Sequence, residues 1–324
     1  MRAVVCEELG PPENLKVVEL PDPEPGKGEI LIDVAAAGVN FPDALIIQGL
    51  YQFKPNPPFS PGGEVSGTVS AIGDGVEGFA VGDRVVAGLA WGGFAEKVVA
   101  PADKAIKVPE GVDMAVAASF FLAYATSLYA LDDRAGLKEG ETLAVLGAAG
   151  GVGLAAVQLG KAMGAKVIAC ASTDDKLALC REHGADETIN YREEDLKQRL
   201  KALSGGGVDV LYDPVGGELS EKALRAMGWG GRFLVIGFAA GDIPKIPLNL
   251  VLLKSCQVVG VFWGMAIVRD PARHAEHVAQ LYTWLQEGKI EPHLDHRYPL
   301  EEAPAAIRAL MDRKAKGKLV VTMD

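Results

Sequence analysis

The residues best suited to chemistry form one run of glycines. Gly147-Ala148-Ala149-Gly150-Gly151-Val152-Gly153 follows an apolar β-like segment and precedes a helix-periodic one. Read as Ala148-x-Gly150-x-x-Gly153, it has the spacing of a dinucleotide-binding loop whose first glycine is replaced. Gly150 lets the backbone approach a pyrophosphate, and Gly153 lets the helix pack closely on the sheet. The helix N-terminus offers free N–H groups and the positive end of its dipole to the anion. About 20 residues further on, an NAD site carries an acid for the ribose hydroxyls. Here the chain reads Ile168-Ala-Cys-Ala171-Ser172-Thr173, with no acid at the strand end. Ser172 can donate to a phosphate and Lys176 stands a helical turn on, so the expected cofactor is NADPH rather than NADH. Asp174 and Asp175 are the opposing signal, and their place in the first turn of a helix accounts for them.

A loop of this kind needs a parallel sheet behind it. Strands are expected at 142–146, 166–171, 188–191, 208–212, 232–236 and 256–262, with helices at 152–163, 174–183, 193–203 and 219–227 between them. That alternation implies an α/β fold, a Rossmann doubly wound parallel sheet. The first third reads differently. Short β-like runs at 29–37, 67–72 and 84–87 are broken by glycines and by Pro55, Pro57, Pro58 and Pro61, as in a compact β-barrel-like domain. Beyond Gly264 come helices at 272–287 and 302–311 and a β-like run at 318–322. This tail leaves the alternation and is assigned back to the first domain. The expected division is therefore 1–121 with 265–324, and 122–264.

Composition excludes some partners. A formal net charge of −11 disfavours polyanions, so no nucleic-acid partner is expected. The apolar stretch 114–131 contains Ser119, Tyr124, Thr126, Ser127 and Tyr129 between Asp113 and Asp132, which suits a buried helix better than a membrane span. The first ten residues include Glu7 and Glu8 and do not read as a signal peptide. Cys6, Cys170, Cys180 and Cys256 are widely separated, as expected of buried free thiols in a reducing cytoplasm.

Together with Gly38-Val-Asn-Phe-Pro-Asp43, Gly49-Leu-Tyr51, Pro61-Gly-Gly-Glu64, Gly82-Asp-Arg-Val85, Tyr124-x-Thr126, Asn190-Tyr191, Asp213-Pro-Val-Gly216 and Gly237-Phe238, the loop resembles the medium-chain dehydrogenase/reductase superfamily. Within it, the chain is similar to the zinc-free NADPH:quinone reductase group that includes zeta-crystallin. The resemblance covers essentially the whole chain. It implies a GroES-like domain beside the Rossmann domain, and a homodimer formed through the last Rossmann strand. It also implies a cofactor site. Ala148, Gly150, Gly151, Val152 and Gly153 take the pyrophosphate, while Thr126, Pro214, Val215 and Gly216 flank the nicotinamide. Gly237, Phe238 and Ala239 line its ribose, and Phe262, Trp263 and Gly264 present backbone groups to its carboxamide. Ser172, Lys176, Tyr191 and Arg313 gather at the adenosine 2′-phosphate.

Zinc alcohol dehydrogenases carry a zinc-binding Cys where this chain has Asn40 and a zinc-binding His where it has Gly63, and they add a cluster of closely spaced cysteines that is missing here. Catalytic zinc needs three protein ligands. The remaining histidines include His274 and His277, spaced for one face of a polar helix and expected to be exposed, and His293 and His296. No metal is expected.

Without zinc, the simpler task is hydride transfer to an acceptor that is already electrophilic, the cofactor carrying the chemistry. The expected substrate is a quinone, with Asn40 and Tyr51 as donors to the oxygen that gains charge. Tyr124 is a weaker candidate. Two alternatives stand beside this. One is reduction of the double bond of an enone or enoyl-CoA thioester, although no basic run outside 313–318 offers a groove for coenzyme A. The other is an NADPH-binding structural protein with little turnover.

Overall fold

The computed structural model describes residues 1–323. The chain divides into two units, Met1–Leu122 with Pro292–Asp324, and Ala123–Glu291.

The first unit opens with a small antiparallel pair, β1 (Arg2–Val5) and β2 (Lys16–Glu19). Its main sheet is built on β3 (Glu29–Val39), eleven residues long and buried along most of one face. After β3 come α1 (Phe41–Ile46), β4 (Glu64–Ile72), β5 (Arg84–Gly88), β6 (Lys97–Pro101) and β7 (Ala105–Lys107). The sheet closes around a core that includes Phe94, Ile30, Ile32, Val65 and Val85, all essentially inaccessible. Each such side chain contributes about 1.5–3 kcal/mol by leaving water. A long helix, α2 (Met114–Tyr129), leads out of this unit, and the boundary between the units falls within it. With the π-helical turn Ala130–Arg134 that follows, it is apolar and long enough to cross a membrane, yet 72% of that stretch is buried inside the protein. It is a core helix, as its interspersed hydroxyl groups suggest.

In the second unit strands and helices alternate: β8 (Thr142–Leu146), α3 (Gly151–Ala162), β9 (Lys166–Ala171), α4 (Asp174–Glu182), β10 (Glu187–Asn190), α5 (Leu196–Leu203), β11 (Val208–Asp213), α6 (Glu218–Leu224), β12 (Met227–Val235), α7 (Leu248–Lys254) and β13 (Gln257–Gly260). The order β10-β9-β8-β11-β12-β13, parallel throughout, is that of a doubly wound sheet. All five residues of β8 are buried, as in strands covered on both faces. The strand order reverses between β8 and β11, and ligands bind at the carboxyl ends of such neighbours.

The expected boundary at 265 is corrected by the structure. Residues 265–291 belong to the second unit, and the return to the first begins at Pro292. The last strand ends at Gly260 rather than Phe262, because Phe262 caps the short helix α8 (Trp263–Arg269), which the sequence reading did not anticipate. After it comes α9 (Pro271–Gln286), whose Arg273 pairs with Asp132 in the π-helical turn at 130–134 and whose His277 faces the same turn. These are partners about 140 residues away, so no local pattern assigns this helix to either unit. The tail then supplies β14 (Leu294–Pro299), α10 (Ala303–Met311) and β15 (Lys318–Thr322) to the first unit. β14 is largely exposed and reads as a loop; its parallel pairing with β15 makes it a strand. The expected start of α5 at 193 moves to Leu196, because the Asp195 carboxylate caps the helix by accepting the Gln198 N–H at 2.8 Å.

Candidate active site

The glycine loop is a backbone device. Gly147 has φ +57°, a conformation that favours glycine, and a Cβ there would lie 2.8 Å from Val215 Cγ2. A Cβ on Gly153 would stand 2.3 Å from the Gly147 carbonyl oxygen, so any side chain would push α3 off the loop. Gly150 is different. A Cβ there meets nothing closer than 3.4 Å, so its small size serves an approach from outside rather than internal packing. Gly150 caps α3, leaving the N–H groups of Gly151, Val152 and Gly153 in the first turn, where a helix has no carbonyl partners for them. Ala148 is buried, its N–H donating to the Cys170 carbonyl on β9.

The expected adenosine-end residues of this unit meet where β9 and β10 end. Ala171 pairs with Asn190, and the Tyr191 N–H donates to the Ala171 carbonyl at 3.1 Å, so Ser172 and Tyr191 leave adjacent strands side by side. Lys176 follows in the first turn of α4. Asp174 is committed elsewhere, its carboxylate accepting from the Asn190 amide at 3.0 Å. Thr173, the N-cap of α4, has a buried hydroxyl oxygen with no hydrogen-bond partner among the described residues, and the sequence reading passed over it. A polar loop end with an unsatisfied hydroxyl and no acid suits a phosphate better than a pair of ribose hydroxyls. Arg313 belongs to the first unit, in a turn with φ +58° after α10.

At the switch point, Asp213 ends β11 and organises the turn beyond it. Its buried carboxylate accepts the N–H groups of Val215 and Gly216, both at 2.9 Å, and the Ser220 hydroxyl at 2.5 Å. Burial raises its pKa, and these three donors oppose the rise. The carbonyls of Pro214 and Val215 accept the N–H groups of Ala239 and Ala240 at 3.1 and 2.7 Å, which lays Gly237, Phe238 and Ala239 against Pro214–Val215–Gly216. The two expected nicotinamide segments are thus brought together. Thr126 lies on α2 beside Ser127, whose hydroxyl lies 2.8 Å from that of Tyr212 on β11 and 3.1 Å from the Val152 carbonyl. Phe262, Trp263 and Gly264 follow Val261, whose N–H donates to the Val235 carbonyl at the end of β12. Phe262 is half exposed, and the Trp263 ring packs on His274.

In the first unit, Asn40 lies in a buried polar cluster with Asp43, Glu64 and Lys318. The Lys318 ammonium on β15 donates to Asn40 Oδ1 at 2.5 Å and to the Val39 carbonyl at 3.3 Å, and lies 3.4 Å from Glu64 Oε2. The Asn40 amide nitrogen donates to Glu64 Oε2 at 2.9 Å and to the Gly38 carbonyl at 3.3 Å. Glu64, wholly inaccessible, also accepts the Leu122 N–H at 2.7 Å. Both ends of the Asn40 side chain are therefore occupied by protein. Asp43 accepts the N–H groups of Asn40 at 2.8 Å and Gly62 at 3.2 Å, and burial pushes its pKa up to about 7. Asp43 and Glu64 stood in motifs already noted, but Lys318 in an apolar strand gave no signal at all.

Tyr51 is half buried, its ring edge-on to Phe53 at 5.8 Å, and its hydroxyl makes no hydrogen bond among the described residues. Burial, and then the nearby Asp43 carboxylate, raise its pKa, so it stays a proton donor at neutral pH. Tyr124 does not fit a substrate role. Its hydroxyl is buried beside Gln158, and its pKa is pushed well up by burial. The histidine expectation is also corrected: His277 is 4% exposed, turned toward Asp132 and Asp133. The four cysteines are buried, and burial raises all four thiols.

Comparison with known proteins follows the same two units. Residues 26–110 match the alcohol dehydrogenase GroES-like domain, and residues 151–281 match the zinc-binding dehydrogenase family. The chain is 37% identical to quinone oxidoreductase-like protein 2 of Mus musculus over 99% of its length and 92% of the relative. It is 33% identical to the quinone oxidoreductase of Homo sapiens, over 100% and 98%. The crystal structure of Escherichia coli quinone oxidoreductase complexed with NADPH superposes with a TM-score of 0.93 at 34% identity, covering 99% of this chain and 100% of that one.

Proposed function

The chain belongs to the quinone oxidoreductase group of the medium-chain dehydrogenase/reductase superfamily, and from that premise we propose that it reduces quinones with NADPH and without a catalytic zinc. One observation carries the zinc-independent part. Asn40, where the zinc enzymes have a cysteine, has its amide held between Lys318 and Glu64. An ammonium in that place competes with a cation rather than helping to bind one, and Gly63 offers no ligand.

The residues fit NADPH. The N-terminus of α3 takes the pyrophosphate, and Gly153 keeps that helix close to the loop. Ser172, Thr173, Lys176 and Tyr191 are assigned to the 2′-phosphate. Thr126, Pro214–Val215–Gly216, Gly237–Phe238–Ala239 and the backbone at Phe262–Trp263–Gly264 hold the nicotinamide end. When bound, the cofactor supplies a hydride, and a proton completes reduction of the quinone to the hydroquinone. Tyr51 donates a hydrogen bond to the oxygen that gains charge, and its raised pKa keeps the donor protonated. Asn40 acts as a positioning residue: fixed by Lys318 and Glu64, it holds the backbone entering α1 and so the segment that carries Tyr51.

The homodimer is assigned to the open edge of β13. An unpaired edge strand invites a partner. This one carries exposed Val258, next in the chain to α7 with Leu248, Leu252 and Leu253, each at least 67% exposed.

The test follows NADPH absorbance with three acceptors, a simple quinone, a short enone and a short enoyl-CoA. Turnover of the quinone, faster with NADPH than NADH, is the expected result. Turnover confined to the enone or enoyl-CoA moves the function to double-bond reduction. NADPH binding with no turnover of any acceptor leaves a binding protein.

A further inference from the structure

His277 on α9 is the least expected side chain of the second unit. It is 4% exposed, and its Nε2 is buried with no hydrogen bond. That nitrogen faces Asp132 Oδ2 at 3.4 Å and Asp133 Oδ1 at 3.5 Å, and the three residues each offer a ligand atom within 4.8 Å of the others. The separations are long for hydrogen bonds, which run to about 3.2 Å. They match the edge of a tetrahedron around zinc, about 3.3–3.4 Å for bonds of about 2.0–2.1 Å.

The carboxylates are held in place by their backbone. Asp132 and Asp133 are consecutive in the π-helical turn after α2, and such turns recur at functional sites. The turn is closed by the Ala135 N–H on Ala130, the Gly136 N–H on Asp132 and the Leu137 N–H on Leu131, all at 2.9 Å. A cation already sits against the pair. The Arg273 guanidinium reaches Asp132 Oδ2 at 2.6 Å and Asp133 Oδ1 at 2.9 Å, the same oxygens that face His277. It is 38% exposed, and its other arm holds Glu276 at 2.8 Å, so it can leave the carboxylates and keep an acidic partner.

We propose that Asp132, Asp133 and His277 form a binding site for a divalent transition metal such as Zn2+, with Arg273 as the internal cation that the metal displaces. Two carboxylates and an imidazole are a ligand set zinc accepts, and a water completes four-coordination. The bound metal would cross-link the turn after α2 to α9 within the second unit. The site lies outside the cofactor loop and the Asn40 cluster, and it does not depend on the assigned reaction.

The competition makes the test sharp. The full-length protein, stripped with chelator, is titrated with ZnCl2 by calorimetry as wild type and as Arg273→Ala, His277→Ala and Asp132→Asn, with circular dichroism confirming each fold. Wild type is expected to bind one equivalent. Arg273→Ala should bind it about tenfold or more tightly, because a competing charge is gone. His277→Ala should lose the equivalent, and Asp132→Asn, a change at a half-exposed position, should weaken it. Failure of Arg273→Ala to bind Zn2+, or retention of the same equivalent by His277→Ala, would overturn the proposal.

Discussion

The dinucleotide loop and the Asn40 cluster solve the same problem, holding a site still, with opposite means. The loop uses backbone: four glycines, a helix end and one strand, within a dozen residues. The cluster uses side-chain charge: an amide, two carboxylates and an ammonium, drawn from positions as far apart as 40 and 318. The loop therefore tolerates no added atoms at Gly147 or Gly153, whereas the cluster tolerates no removed ones.

The largest effect expected from this contrast is in the loop. Gly153→Val should abolish NADPH binding, measured by fluorescence titration, because a Cβ at 2.3 Å from the Gly147 oxygen cannot be accommodated without moving α3. Gly150→Ala, with 3.4 Å of room, should fold normally and only weaken binding. A Gly153→Val protein with wild-type affinity would break the backbone account.

In the cluster the loss should appear first as stability. Lys318→Met leaves Asn40 Oδ1 and the buried Glu64 without their cation, which costs about 3–5 kcal/mol for a broken buried pair. Urea unfolding reads it directly. A change below about 1 kcal/mol would mean that the network is incidental.

Asp43 gives the cluster a pH signature that the loop lacks. Its folded pKa of about 7 stands above the ordinary aspartate value of 3.8, so between these values the native state holds a proton that the unfolded chain has lost. The stabilisation is full below about pH 4 and is lost as pH rises through about 7, on the order of 2–4 kcal/mol in all. Asp43→Asn should remove that slope from a series of unfolding curves.

The smallest of these effects belongs to Tyr51, whose hydroxyl bonds to nothing among the described residues. Tyr51→Phe should leave unfolding unchanged and lower kcat for quinone roughly ten- to a hundredfold. Loss of stability without loss of kcat would reverse the assignment and make Tyr51 a cover for the cluster.

The same contrast explains what could be read from the sequence. The strand, loop and helix at 142–162 are local and periodic, and the end of β9 follows from its spacing after the loop, whereas the turn at Asp213 and Tyr191 at the end of β10 rest on the family resemblance. The domain boundary near 291 and the burial of His277 go with the packing of α9, whose Arg273 pairs with a turn 141 residues earlier. β14 exists because β15 pairs with it, not because its residues prefer strand. The contacts of Asn40 are not legible locally, since the lysine that occupies its side-chain oxygen comes from the other end of the chain.

The central claim is hydride transfer from NADPH to a quinone without a catalytic metal. Its most direct test is the steady-state rate of quinone-dependent NADPH oxidation before and after exhaustive treatment with a chelator. The account predicts turnover that is unchanged by chelation. Turnover lost on chelation and restored by zinc, in His277→Ala as in the wild type, would contradict it.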